Sequence, residues 1–145
     1  MKTRVTSICL VIITMISLSS TVWAAKNEAV PYASDYLDGC SVALDSTGVG
    51  QMVVDVTVDA VGIADKIGIS EIYVERKEAG KWEFYKSLDS VDHPEFYVYN
   101  SRDYLNSIYF SAESGYTYRV TITAYAKKGS GSDTLNLTSY TCVCK

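Results

Sequence analysis

The sequence predicts an all-β protein, a β-sandwich of about seven antiparallel strands, on three observations. From Tyr116 to Ala126 every second residue suits a core (Tyr116, Tyr118, Val120, Ile122, Ala124, Ala126), while Thr117, Arg119, Thr121, Thr123 and Tyr125 suit water. Gln51–Ala60 repeats the pattern, with Met52, Val54, Val56 and Val58 on one face. Alternation with a period of two belongs to strands with one buried face. No stretch carries an apolar stripe at the helical period, and Gly-bearing turns recur at short spacings, as in all-β sandwiches.

Taken in order, Lys26–Asp38 is polar, with Pro31 and two tyrosines. Residues 25–38 therefore read as a loosely held N-terminal arm, and 39–145 as the sandwich domain. Ser41–Leu44 is a short apolar run ending in the turn-forming residues Asp45–Gly50. After Gln51–Ala60, Val61–Gly68 reads as a connection, because it holds two glycines and Asp65-Lys66. Ile69–Lys77 is a strand with Ile72 and Val74 inside and Glu71, Tyr73 and Glu75 outside. Glu78-Ala79-Gly80 turns it into Trp82–Lys86. The pattern weakens from Ser87 to Asn106, where only Phe96–Tyr99 suggests brief pairing. Ser107–Ser111, the Tyr116–Ala126 strand, a turn over Lys127–Asp133 and a last strand from Thr134 to about Tyr140 complete the set. The expected core is Met52, Val54, Val56, Val58, Ile72, Val74, Tyr118, Val120 and Ile122, with Trp82 as a further member.

Residues 1–24 read as an export signal. Lys2 and Arg4 precede the largely apolar Ile8–Leu18, and Val22-Trp23-Ala24 offers a small-x-Ala cleavage site. The apolar run falls short of the ~20 residues of a bilayer span. The expected address is extracellular, with no membrane attachment after cleavage. The chain carries a formal net charge of −4, and removing Lys2 and Arg4 makes it more negative. So acidic a module is poorly suited to nucleic acid.

The run Gly115–Ala124 (GYTYRVTITA), followed by Lys127–Gly131 (KKGSG), resembles the F strand and F–G turn of fibronectin type III and related immunoglobulin-like folds. There, a Gly sits three residues before a corner tyrosine, as Gly115 does before Tyr118. Ile72–Lys77 with Gly80–Trp82 resembles the C strand and C–C′ hairpin. More narrowly, Gly62–Ser70 (GIADKIGIS), the Gly80–Trp82 turn and Tyr125–Thr134 (YAKKGSGSDT) are similar to a family of small secreted proteins of Gram-positive bacteria. In that family an Asp-Lys-Ile-Gly segment and a Tyr-Ala-x-x-x-Ser-Gly-Ser-Asp segment recur. The resemblance spans roughly Tyr36–Ser139. It implies a fold and an export address, and carries over no reaction, catalytic residue or cofactor.

The cysteines lie outside that pattern. Beyond the signal the chain has Cys40, Cys142 and Cys144, an odd number. A bridge from Cys40 to either C-terminal cysteine would tie the first strand to the last. Closing so long a loop is worth roughly 4–5 kcal/mol in the chain-entropy model. A Cys142–Cys144 bond is disfavoured by i,i+2 strand geometry. An unpaired third thiol, reactive or intermolecular, is the other possibility. Zinc held by the three cysteines and His93 lacks the paired C-x-x-C spacing, so no metal is expected.

Catalytic chemistry finds little support. His93, the single histidine, lies in the turn-like Asp92-His93-Pro94 with no nucleophile motif around it. Asp55 and Asp59 share a polar strand face ~13 Å apart, too far for a paired-carboxylate site without a cross-strand partner. Asp65-Lys66 reads as a turn with a structural ion pair in preference to a ligand contact. No catalytic residues and no cofactor are therefore assigned. The compositional excess is tyrosine, 12 residues against Phe 3 and Trp 2. Tyr97, Tyr99, Tyr104 and Tyr109 crowd one segment and form the candidate binding surface, since tyrosine gives amphipathic contact area at low entropic cost. The expected function is a non-catalytic extracellular module binding a protein or a glycan. A small secreted hydrolase using carboxylates and His93 is the alternative.

Overall fold

A computed structural model describes residues 27–29 and 34–145; the expected signal over 1–24, with Cys9, lies outside the described residues. The chain is all-β. Its strands are β1 (Asn27–Ala29), β2 (Leu37–Gly48), β3 (Gln51–Glu78), β4 (Lys81–Asp89), β5 (Tyr97–Ser111), β6 (Thr117–Lys128), β7 (Gly131–Thr138) and β8 (Cys142–Val143). One 3-10 turn, Pro94–Phe96, precedes β5. All pairings are antiparallel, and together they form one curled sheet.

The 28-residue β3 organises the molecule. Its first half lies between β2 and β5, with Val54 opposite Leu44 on one side and Ile108 on the other. Its second half lies between β6 and β4, with Val74 opposite Val120 and Lys86. β7 extends the sheet beyond β6, β1 extends it beyond β2, and β8 borders the start of β6. The curl brings β2 against β6, β7 and β8 without pairing. The enclosed core contains Val42, Leu44, Met52, Val54, Val56 and Val58 from one half, and Ile72, Val74, Tyr118, Val120 and Ile122 from the other.

Val61–Gly68, expected as a connection, is instead part of β3. Between Asp59 and Ala64 the register with β5 slips, because Asp59 faces Asp103 and Ala64 faces Ser101. The surplus residues bulge outward, which leaves Val61 and Ile63 exposed. A second slip against β6 lies between Ile69 and Glu71. These irregularities bend the strand without ending it, as bulges do. Gly68 sits at the bend, opposite both Tyr97 and Tyr125, with φ 150°. Likewise the weak stretch after Ser87 resolves into the end of β4 and one continuous β5. Asn100, at φ 53°, interrupts its alternation.

Trp82 does not join the core. Tyr85 is an extra residue of β4, between the pairs Val74–Lys86 and Glu75–Phe84. Its ring turns onto Tyr118 (centroids 5.2 Å), and the phase of the hairpin tip is reset. Trp82 ends half-buried on the outer face.

Residues from Ser34 onward, expected to belong to a loose arm, are held down. Asp133 accepts hydrogen bonds from the Ser34 hydroxyl (2.5 Å) and the Tyr36 amide (2.9 Å). The Tyr36 carbonyl accepts from the Val61 amide at 3.1 Å. At the other end the Tyr118 hydroxyl donates to the Glu113 carbonyl (3.2 Å) and accepts from the Glu113 amide (2.9 Å). That closes the β5–β6 turn, in which Gly115 has φ 87°.

Candidate functional site

The outer face of β4, β3 and β6 gathers exposed rings beside a row of hydroxyls. Alternation sends Ile72, Val74, Val120 and Ile122 inward, so Tyr73, Glu75, Arg119 and Thr121 point outward. Tyr73 and Phe84 lie with ring centroids 5.2 Å apart, and Phe84 is 60% exposed. Next to them Trp82 carries the Arg119 guanidinium 4.5 Å from its ring centre and the Lys77 ammonium at 5.7 Å, both within cation–π range. Arg119 is fixed by Glu75, through Nε at 2.6 Å and a second guanidinium nitrogen at 3.1 Å. This paired carboxylate raises the Arg119 pKa above its ordinary value. Further along, the hydroxyls of Thr121 and Thr138 bond to each other at 2.8 Å. The face is thus ring-bearing at one end and hydroxyl-bearing at the other.

The four tyrosines singled out from sequence do not make one surface. Tyr104 is 2% exposed, and its hydroxyl reaches the Glu95 carbonyl (3.5 Å) and the Asn106 amide (3.1 Å). Burial raises its pKa. Tyr97 packs edge-on against Tyr125 and lies 3.6 Å beneath the Lys66 ammonium. Tyr99 and Tyr109 are exposed, but they pair with Lys66 and Val53, at opposite ends of β5. Ten residues of strand are roughly 33 Å. Sequence reasoning passed over Phe84 and Tyr73 as ligand surface. The signal present was the alternation of Tyr73 and Glu75 on the polar side of a confident strand, opposite the aromatic-bearing hairpin partner.

Asp65 and Lys66, expected as a turn with an ion pair, lie instead within β3 and engage other partners. Asp65 accepts the Gly129 amide at 2.6 Å, which caps the β6–β7 turn, while Lys66 covers Tyr97 and Tyr125.

An open cleft of about 500 Å³ is lined by Asp38, Gly39, Asp59, Arg102 and Asp103. Arg102 lies 3.7 Å from Asp38 and donates to the Ala60 carbonyl. His93 is not among the lining residues. It pairs with Glu95 at 2.9 Å and stacks on the buried Phe96. Asp55 takes a 2.5 Å hydrogen bond from Ser107. The cleft therefore brings three carboxylates and a guanidinium together, with Asp103 directly across the strand pair from Asp59 and no imidazole, hydroxyl or thiol in its lining. Among the described residues no three His, Cys, Asp or Glu side chains converge as metal ligands.

The expected bridge from Cys40 to the C-terminal cysteines is corrected: Cys40, Cys142 and Cys144 are all free thiols. Cys142 lies beside Asp45 and Ser46, and the Lys145 amide donates to the Ser46 hydroxyl. Those residues are five and six positions along β2 from Cys40, roughly 16–20 Å at ~3.3 Å per residue. A disulfide tolerates a Cα separation of only ~7 Å. Burial, reinforced by Asp59, pushes the Cys40 thiol up to about 12.

No known protein family, curated protein or solved structure matches the chain.

Proposed function

We propose that the protein is an exported, non-catalytic module that binds an extracellular protein or glycan through the outer face of β4, β3 and β6. One observation carries this reading: Phe84 and Tyr73, with the half-buried Trp82, form a ring surface on the outer face beside the Glu75–Arg119 pair. Exposed aromatic surface backed by fixed polar groups is characteristic of recognition sites. The hydrolase alternative has less support, because His93 pairs with Glu95 away from the Asp59 cleft.

A fibronectin type III-like sandwich is supported by the pairing order. β2, the first half of β3 and β5 make one group, and β4, the second half of β3, β6 and β7 make the other. The bond from Tyr118 back to Glu113 is that of a corner tyrosine. Kinship with small secreted proteins of Gram-positive bacteria rests on the Asp65–Gly68 and Tyr125–Asp133 segments, and export rests on residues 1–24.

The test compares wild type with Trp82→Ala/Phe84→Ala for retention on bacterial cell walls, insoluble polysaccharides and matrix proteins. Retention of wild type alone supports the reading. Equal retention of both, no retention of either, or turnover of any of these materials by wild type refutes it.

A further inference from the structure

Resting on the binding-module reading, we propose that the β4–β3–β6 face takes an uncharged polysaccharide chain, with Phe84 and Tyr73 stacking on sugar rings. The polar groups beside them then bind the sugar hydroxyls.

The chemistry of the face selects this ligand. The outward side chains of its three strands are aromatic, hydroxyl-bearing or charged, and among the described residues the exposed aliphatic nearest to it is Val143, at its border on β8 opposite Thr117. Val61, Ile63 and Leu105 (79% exposed) all belong to the other end of β3 and its partner β5. A protein partner seeking a desolvated apolar centre would find more there. A sugar ring instead offers C–H groups on one face and hydroxyls at its rim. It matches a π-surface bordered by oriented donors and acceptors.

Tyr73 and Phe84, with centroids 5.2 Å apart and a tilt of 40°, form one nearly continuous ring surface across β3 and β4. Trp82 is already covered by Arg119 and Lys77, so it acts as the wall of this platform. Beside them, Arg119 of β6 and Glu75 of β3 neutralise one another through two hydrogen bonds and present fixed polar edges. An anionic ligand would face the Glu75 carboxylate and a cationic one the guanidinium. An uncharged polyol meets neither penalty. The Thr121–Thr138 hydroxyl pair continues the polar strip onto β7.

The experiment titrates the full chain with cellohexaose, chitohexaose and laminarihexaose and follows Trp82 emission, isolated by comparison with Trp82→Phe. At least one saccharide should shift the emission saturably. Phe84→Ala and Tyr73→Ala should each weaken that binding about tenfold or more while far-UV dichroism is unchanged. Leu105→Ser should leave it intact, and raising salt to about 0.5 M should leave the affinity unchanged, since no charge is being screened. Absence of saturable binding to all three saccharides overturns the proposal. So does binding that survives both aromatic substitutions, or that salt abolishes. If cell walls or matrix proteins retain the chain through Trp82 and Phe84 while no saccharide binds, the glycan proposal falls and the binding-module reading stands. If nothing is retained, both fall.

Discussion

Replacing Gly68 with alanine should cost about 2–6 kcal/mol of stability, from two separable sources. Gly68 has φ 150°, where a side chain is strained, which is worth about 1–3 kcal/mol. A Cβ placed there would also lie 3.0 Å from the Phe96 carbonyl carbon and 3.1 Å from the Tyr97 Cα, with the Phe96 oxygen nearer still. Those are backbone atoms of the turn into β5. They cannot swing aside as a side chain would, because the Phe96 ring is fully buried and its amide bonds to the His93 carbonyl at 3.0 Å. Relieving the overlap means pushing β5 off β3, an overpacking cost of about 1–3 kcal/mol.

Gly80 supplies the control. At φ 84° it carries backbone strain, yet nothing lies within 4 Å of its would-be Cβ. Gly80→Ala should therefore lose only about 1–2 kcal/mol. Urea titrations followed by far-UV dichroism would measure both variants, with unchanged slopes validating the comparison. The midpoint for Gly68→Ala should fall well below that for Gly80→Ala, and its melting temperature should drop by roughly 10–20 °C. If the two alanine variants were equally stable, the tight approach of β5 to the β3 bend would be wrong.

Four further outcomes are expected. Tyr118→Phe removes the hydroxyl that joins both backbone groups of Glu113 and should cost about 1–3 kcal/mol; a loss near zero in a urea titration would deny the corner bond a structural role. Thiol labelling at neutral pH with peptide mapping should find Cys142 ahead of Cys40 and Cys144, which are buried, and fast labelling of folded Cys40 would contradict its place in the core. Asp133 is held below the ordinary carboxylate range chiefly by the Ser34 hydroxyl. Its contribution is present above the unfolded pKa of ~3.9 and is lost as pH falls through the lower folded value. Asp133→Asn should flatten that acid-side loss in a series of urea midpoints against pH, and parallel profiles would sink the assignment. Asp65→Ala uncaps the Gly129 amide and should cost about 1 kcal/mol while leaving saccharide affinity unchanged; a tenfold affinity loss in a stable variant would move the site to the β6–β7 turn.

The parts legible in the sequence are those in which alternation meets no irregularity. β6 and the first half of β3 bury the residues their period assigns inward, from Met52 to Val58 and from Tyr118 to Ile122. Where the backbone adds a residue, the period misleads. The glycines of Val61–Gly68 carry the same signal for a turn as for a bend. Only the pairing of Lys66 with both Tyr99 and Lys127 shows that the strand runs on. The extra Tyr85 in β4 sends Trp82 outward, and no local composition announces it. The tyrosine segment divides by alternation itself, since Tyr104 is out of phase with Tyr97, Tyr99 and Tyr109 and is the one that turns inward. The spacing of the thiols along β2 is a tertiary fact, settled by how the tail lies beside Ser46.

The Asp65–Gly68 and Tyr125–Asp133 segments, most suggestive in the sequence, turn out to face one another. Lys66 pairs with Lys127 and Gly68 with Tyr125 along one ladder. Their polar groups are engaged internally: Asp65 with Gly129, Lys66 with the Tyr97 and Tyr125 rings, Asp133 with Ser34 and Tyr36. Gly131 leaves space for the Tyr36 ring, whose Cε2 would lie 2.8 Å from a Cβ at that position. A ligand drawn to these residues would have to break contacts that lock the bend of β3, the β6–β7 hairpin and the segment leading into β2. Side chains committed in this way hold a sheet in shape. On the outer face of the same sheet Glu75 holds Arg119 over Trp82, and Phe84 and Tyr73 stay open to solvent. The face proposed to bind is thus separate from the segments that lock the sheet.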